Sequence, residues 1–346
     1  MLCEGLLKKI SKLIYRRILS WAYCSIGLLA SSTLMAVTVT NQVELDMAIS
    51  QGASPINIVA AALSLSNGQN FAPDTALEIA NGASLSITAG NQILGSLRGA
   101  GTLFAGTRSL VIGTDNRNSA FSGRLDLIGE AWDATHGIVS KTGSGALTID
   151  NALISLGEAF IFQGSMEQTS GATAINSLIV GEATGNTGVL NVSGGTLTFR
   201  TALQVGDFGG QGIVNQTAGT VILPATCGDP AFCSLLGIGN DGGSGTYNIY
   251  GGTLILNGGL IVLGHSTGFN PASTGTLNIG GGLVELSGDL NSSGQFILGS
   301  NNNSHGEINQ SGGILRIAND STLYLAGTNG AGIYNHEVCY VSLSDC

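Results

Sequence analysis

The sequence predicts an all-β fold, a right-handed parallel β-helix of three-strand coils of about 25 residues. Three observations lead there. A phrase of short apolar strands, Gly corners and polar turns returns six times between residues 174 and 346. One Asn holds the same place in each copy. The chain also has 54 Gly against 5 Pro and only 10% charged residues, which suits a stack whose coil-to-coil faces are hidden.

Each coil reads as three strands. The first is apolar and ends in Gly, at 178–181, 203–206, 236–239, 261–264, 296–299 and 323–327. The second carries the Asn, at 189–192, 213–216, 246–249, 276–279, 307–310 and 333–336. The third follows a small-residue corner, at 196–199, 220–223, 253–256, 283–286 and 314–317, with 340–343 a degraded sixth copy. The pieces are short, β-branched and bounded by Gly, which argues strand over helix. Gly181 and Gly206 are 25 residues apart, as are Gly239 and Gly264, and longer intervals mark turns with insertions. Neighbouring parallel strands lie about 4.8 Å apart, so ten to twelve coils would span roughly 50–60 Å.

The Asn column is Asn191, Asn215, Asn248, Asn278, Asn309 and Asn335. Stacked Asn side chains can bond up and down a ladder. A buried Asn without partners is costly, so the expectation is a satisfied internal row, with a polar binding stripe as the alternative. The pairs Gly194 and Gly195, Gly251 and Gly252, Gly281 and Gly282, and Gly312 and Gly313 fall at one corner of the coil. A tight corner needs backbone angles open mainly to Gly. A phosphate-cradling loop would need a Lys or a following helix, and neither is present.

Residues 37–173 are harder to phase. Strand-like pieces recur at 56–59, 76–79, 84–87, 101–104, 109–112, 124–127 and 146–149, separated by Gly or Asn turns. They read as further coils of drifting length, with no linker to a second globular domain. Residues 42–50 have the apolar spacing of a short helix that could cap the open end, as solenoid ends require.

The first 36 residues form a targeting segment. Lys8, Lys9, Lys12, Arg16 and Arg17 precede an apolar run from Ile18 to Ala36 that ends in small residues. This predicts a signal peptide over 1–36; an uncleaved anchor is the alternative, since the run approaches the ~20 residues of a membrane span. Without the segment, 7 basic residues face 21 acidic ones, a net charge of −14. Such a body disfavours nucleic acid and anionic membrane surfaces. In an oxidising compartment, Cys227 and Cys233 would close a small loop as a disulfide, and Cys339 and Cys346 a second one. A metal site competes for these cysteines, but no His adjoins the first loop.

Two stretches resemble the passenger domains of bacterial autotransporters. Residues 140–149, Ser-Lys-Thr-Gly-Ser-Gly-Ala-Leu-Thr-Ile, are similar to a phrase of the autotransporter-associated strand repeat, and 98–103 and 119–125 to its companion phrases. The six-coil array is similar to the later coils of the same passengers, so the resemblance covers roughly 80–343. It implies a secreted or surface-exposed β-helix acting in adhesion or other surface contact, with a host-cell or surface polysaccharide or protein as partner. It also implies a C-terminal outer-membrane barrel, whose amphipathic strands are not found before Cys346. The expectations are a truncated passenger, a separately encoded barrel or another export route, with outer-membrane anchoring only through a barrel partner.

Chemistry is sparse. His136, His265, His305 and His336 are scattered, and the nearest match to a Ser-protease phrase, residues 242–245, has no partnered His or Asp. Glu182, Asp207, Asp241 and His265 fall one or two residues past the first-strand Gly. Carboxylates there could sit about 5 Å apart in adjacent coils, within reach of a glycosidase pair or a Ca²⁺ site. A polysaccharide-degrading β-helix or tailspike-like depolymerase is therefore the alternative function. The expectation is a non-enzymatic protein without a cofactor, binding through exposed faces and the loops 224–234 and 265–275.

Overall fold

The computed structural model describes residues 36–336, except 67, 89, 128–136, 225–234, 267–270, 289–293, 302, 319–320 and 328. All strand pairings are parallel, each strand bonding to its counterpart one coil away: the chain is a parallel β-helix. The second strands form a 13-stranded sheet from Val37–Val39 to Ala331–His336. The third and first strands form two ladders that fuse into an 18-stranded sheet. They fuse because three strands are continuous across the corner: Ala152–Ile161, Gly171–Glu182 and Thr196–Asp207. The corner is softened at Ile175–Ser177, where the register slips. Twelve steps along the 13-stranded ladder, at about 4.8 Å each, make it roughly 58 Å long.

The core follows from period-two alternation along each strand. Leu190, Val214, Leu277 and Ile308 point inward from the second strands, Leu197, Val221, Leu254 and Val284 from the third, and Leu178, Leu203, Leu236 and Ile261 from the first. All are 0% exposed, and each aliphatic side chain so buried contributes about 1.5–3 kcal/mol. The irregular half continues the same ladders. Ile56–Ile58, Ala76–Ile79, Ser96–Gly99, Ser119–Phe121 and Ala146–Ile149 are second strands. Ser84–Ile87, Thr102–Phe104 and Arg124–Asp126 belong to the third ladder, and Ser109–Ile112 to the first. One strand, Gly171–Glu182, passes straight through residue 173, so the change there is one of sequence pattern and not of chain topology.

Helix α1, Gln42–Ser50, sits at the N-terminal end of the stack. Asn41 caps it by accepting from the Glu44 amide at 3.1 Å, and Glu44 reaches back to the Thr40 amide at 2.6 Å. Leu45 and Ala48 cover the open end of the core. The outer face is not wholly polar, since Val43 and Met47 are 69% and 52% exposed.

The paired glycines serve two different needs. Gly252 has φ +79, open mainly to glycine. Gly251 instead lies against the previous coil, where a Cβ would come 2.3 Å from the Thr217 carbonyl.

Polar groups also enter the interior. Lys141, 2% exposed, takes an apolar position at the end of its strand, in register with Ile112 and Ile161. Its ammonium donates to the carbonyls of Thr142, Gly143 and Gln163 at 2.5, 3.0 and 3.3 Å. Gln168, Gln216 and Gln310 are buried on the second strands. Gln216 Nε2 donates to the carbonyls of Gly219 and Thr253, and Gln310 Nε2 to that of Gly313, so each braces the corner that follows it.

Candidate functional site

The six Asn residues stack in register through the last coils. Each Nδ2 donates to the Oδ1 of the Asn one coil earlier, at 2.9, 2.8, 2.7, 3.1 and 2.8 Å from Asn215 to Asn335. The expectation of an internal row is corrected. The column lies on the outside of the sheet, half-buried along most of its length and exposed at Asn335. Alternation with the inward-pointing Leu190, Val214, Tyr247, Leu277 and Ile308 puts it there.

The acidic turn is the reverse case. Glu182 and Asp207 are direct neighbours in adjacent coils. The next place in the column belongs to Asn240, which pairs with His265; Asp241 lies one residue beyond, with φ +43. Glu182, Asp207 and Asn240 are only 8%, 3% and 7% exposed, so these residues do not form the open polar turn that sequence suggests. Burial pushes the Asp207 carboxyl up to about 8, with Asp241 and Glu182 adding to the effect. Burial and the charge of Glu158 push Glu182 up to about 7. Asp207 Oδ1 accepts from the Phe208 amide at 2.9 Å, whereas Glu182 Oε2 is buried without a hydrogen-bond partner. Among the described residues no group of three or more His, Cys, Asp or Glu is placed to hold a metal ion.

Two shallow surface grooves lie among the described residues. One, of about 250 Å³, runs over the third strands from Arg124 and Asp126 across Ala172 and Ala174 to Thr196 and Thr198. Arg124 and Asp126 form an ion pair at 2.9 Å, and the guanidinium lies 5.5 Å from the Phe104 ring centre. The other, of about 410 Å³, follows the Asn ladder beside Tyr250. Sequence reasoning missed Tyr250; the available signal was a single aromatic at a corner where the other coils have Thr169, Ser193, Thr217, Gly280 and Ser311.

The four cysteines expected to pair, Cys227 with Cys233 and Cys339 with Cys346, lie outside the described residues, as do residues 1–35 of the targeting segment, 225–234 of the first expected binding loop and 267–270 of the second. Among the described residues no helix is long and apolar enough to cross a membrane. No family model, no curated protein and no solved structure matches the chain.

Proposed function

We propose that this chain is a non-enzymatic, exported β-helical protein, similar to an autotransporter passenger, that works by contact with a host-cell or microbial surface. The supporting observation is a continuous ladder of 13 rungs, which carries a long, rigid outer face. The acid pair that register brings together is turned inward, with Asp207 3% and Glu182 8% exposed, out of reach of a polymer chain. The basic segment and apolar run before Ala36 support export.

A second reading, a polysaccharide-degrading enzyme, rests on that same pair of carboxyls, direct neighbours in adjacent coils. Incubating the purified chain with epithelial cells and with polysaccharide-coated surfaces tests the choice. Saturable adhesion that leaves the polymer intact supports the contact reading. Shortening of the polymer without retention on any surface overturns it in favour of the enzyme.

A further inference from the structure

We propose that the groove beside Tyr250 on the Asn ladder binds a neutral saccharide, an assignment that deepens the surface-contact reading and rests on it. Tyr250 is 59% exposed. Its ring is seated on Gly280 of the next coil, where a Cβ would come 3.1 Å from Cδ1 and 3.6 Å from Cε1. A side chain at Gly280 would lift the ring; glycine lets it rest on the backbone while the rest of the ring faces solvent. An aromatic held this way offers a platform for the apolar C–H face of a sugar ring.

The polar half of the groove is the ladder. Asn278, Asn309, Asn335 and Ser311 line it, within a volume of about 410 Å³ that falls in the range of small-molecule sites. A carboxamide has two N–H groups and two acceptor lone pairs. The ladder engages one of each on Asn278 and Asn309, leaving one donor and one acceptor per coil for a ligand. Asn335 spends both N–H groups, on Asn309 and on Glu307 Oε1 at 2.9 Å, and keeps its acceptor. The result is a row of donors and acceptors repeating every ~4.8 Å beside one aromatic face, a pattern that suits successive hydroxyls of an oligosaccharide.

Charge narrows the class. Among the described residues no Lys, Arg, Asp, Glu or His lines the groove, and the charge the ladder touches there is the Glu307 carboxylate. A polyuronate or sulfated chain would find no cation there and would be repelled, whereas an uncharged chain loses nothing. The groove at Arg124 lacks this combination, because no aromatic is among the described residues that line it and it carries the Arg124 and Asp126 ion pair.

The test is calorimetric titration of the full chain with cello-, malto- and chitohexaose, and with hexagalacturonate as the anionic control. At least one neutral hexasaccharide binds saturably and hexagalacturonate does not. Tyr250→Ala weakens binding about tenfold, and Asn335→Ala, which leaves the interior of the ladder intact, weakens it severalfold. Cooperative thermal unfolding of both variants, well above the titration temperature, separates lost binding from lost folding. Equal affinity of Tyr250→Ala and wild type, or preference for hexagalacturonate, overturns the site while leaving surface contact standing. Adhesion to surfaces with no binding of any neutral hexasaccharide does the same. Neither adhesion nor saccharide binding overturns both.

Discussion

Tyr247 and Gln216 meet inside the β-helix from adjacent coils: the tyrosine hydroxyl donates to Gln216 Oε1 at 2.7 Å, and both side chains are 0% exposed. The amide of the same glutamine holds two corner carbonyls, so one buried residue ties three pieces of backbone to a phenol. The arrangement recurs where Tyr334 donates to Gln310 Oε1 at 2.6 Å. Burial pushes the Tyr247 phenol well above its usual range, which keeps it a donor at every physiological pH. Tyr247→Phe leaves Gln216 Oε1 buried without its partner. Denaturant unfolding should show a loss of about 1–3 kcal/mol, and a smaller loss for Tyr334→Phe, whose side chain is only half-buried.

The Glu182 and Asp207 pair makes stability depend on pH in a stated direction. The folded chain holds these protons up to about 7 and 8, whereas the ordinary values of the two groups are 4.5 and 3.8. Folding therefore takes up protons between roughly pH 4 and 8. Stability falls as pH rises through that window, by an amount on the order of a few kcal/mol, with the two groups titrating as a coupled pair. A Glu182→Gln, Asp207→Asn double variant should match wild type near pH 4 and exceed it at pH 9 in thermal unfolding. A wild type whose melting temperature rises across this range contradicts the assignment.

Lys141 should produce the opposite slope in a higher window. Burial pulls its ammonium down to about 8, against a push upward from Asp115. Between about 8 and the ordinary lysine value of 10.5 the unfolded chain keeps a proton that the folded chain gives up, so this residue's contribution grows as pH rises there. Lys141→Met removes that limb and also strips three carbonyls of a donor, a cost of about 1–3 kcal/mol at neutral pH. Unfolding measured at several pH values from 7 to 10 checks both parts.

In the Asn ladder, position decides the cost. Asn278→Ala breaks the bonds to Asn248 and Asn309, whereas Asn335→Ala breaks one ladder bond at the exposed end. The interior change should cost about 1–3 kcal/mol and the terminal one a fraction of that. Asn248→Asp removes the donor toward Asn215 and sets a charge in the row, so it should be worse than Asn248→Ala.

The repeats made the fold legible, because six copies of one phrase carry both the strand period and the coil period. What the sequence left obscure has particular causes. In the first half Asn57 holds the Asn place, but the coils after it carry Glu78, Arg98, Thr148 and Glu167 there, so no repeated residue marked its ladders. The outward Asn row was readable: Asn191 lies between Leu190 and Val192, both buried, and period two puts it on the other face. The burial of Glu182 and Asp207 was not readable by that counting, because Gly181 and Gly206, with φ of +71 and +72, interrupt the alternation just before them. Gln216, Tyr247 and Lys141 escaped because each replaces an apolar residue in only one or a few coils, leaving no column to read. Tyr250 escaped because its platform is made by a glycine in the next coil.

The central claim is that this β-helix holds surfaces and does not cut them. The most direct measurement pairs retention of the wild-type chain on polysaccharide-coated beads with an assay for new reducing ends on the same polymer. Saturable retention with no new reducing ends is the predicted result. New reducing ends that disappear in the Glu182→Gln, Asp207→Asn variant would contradict it and make the buried acid pair a catalytic one.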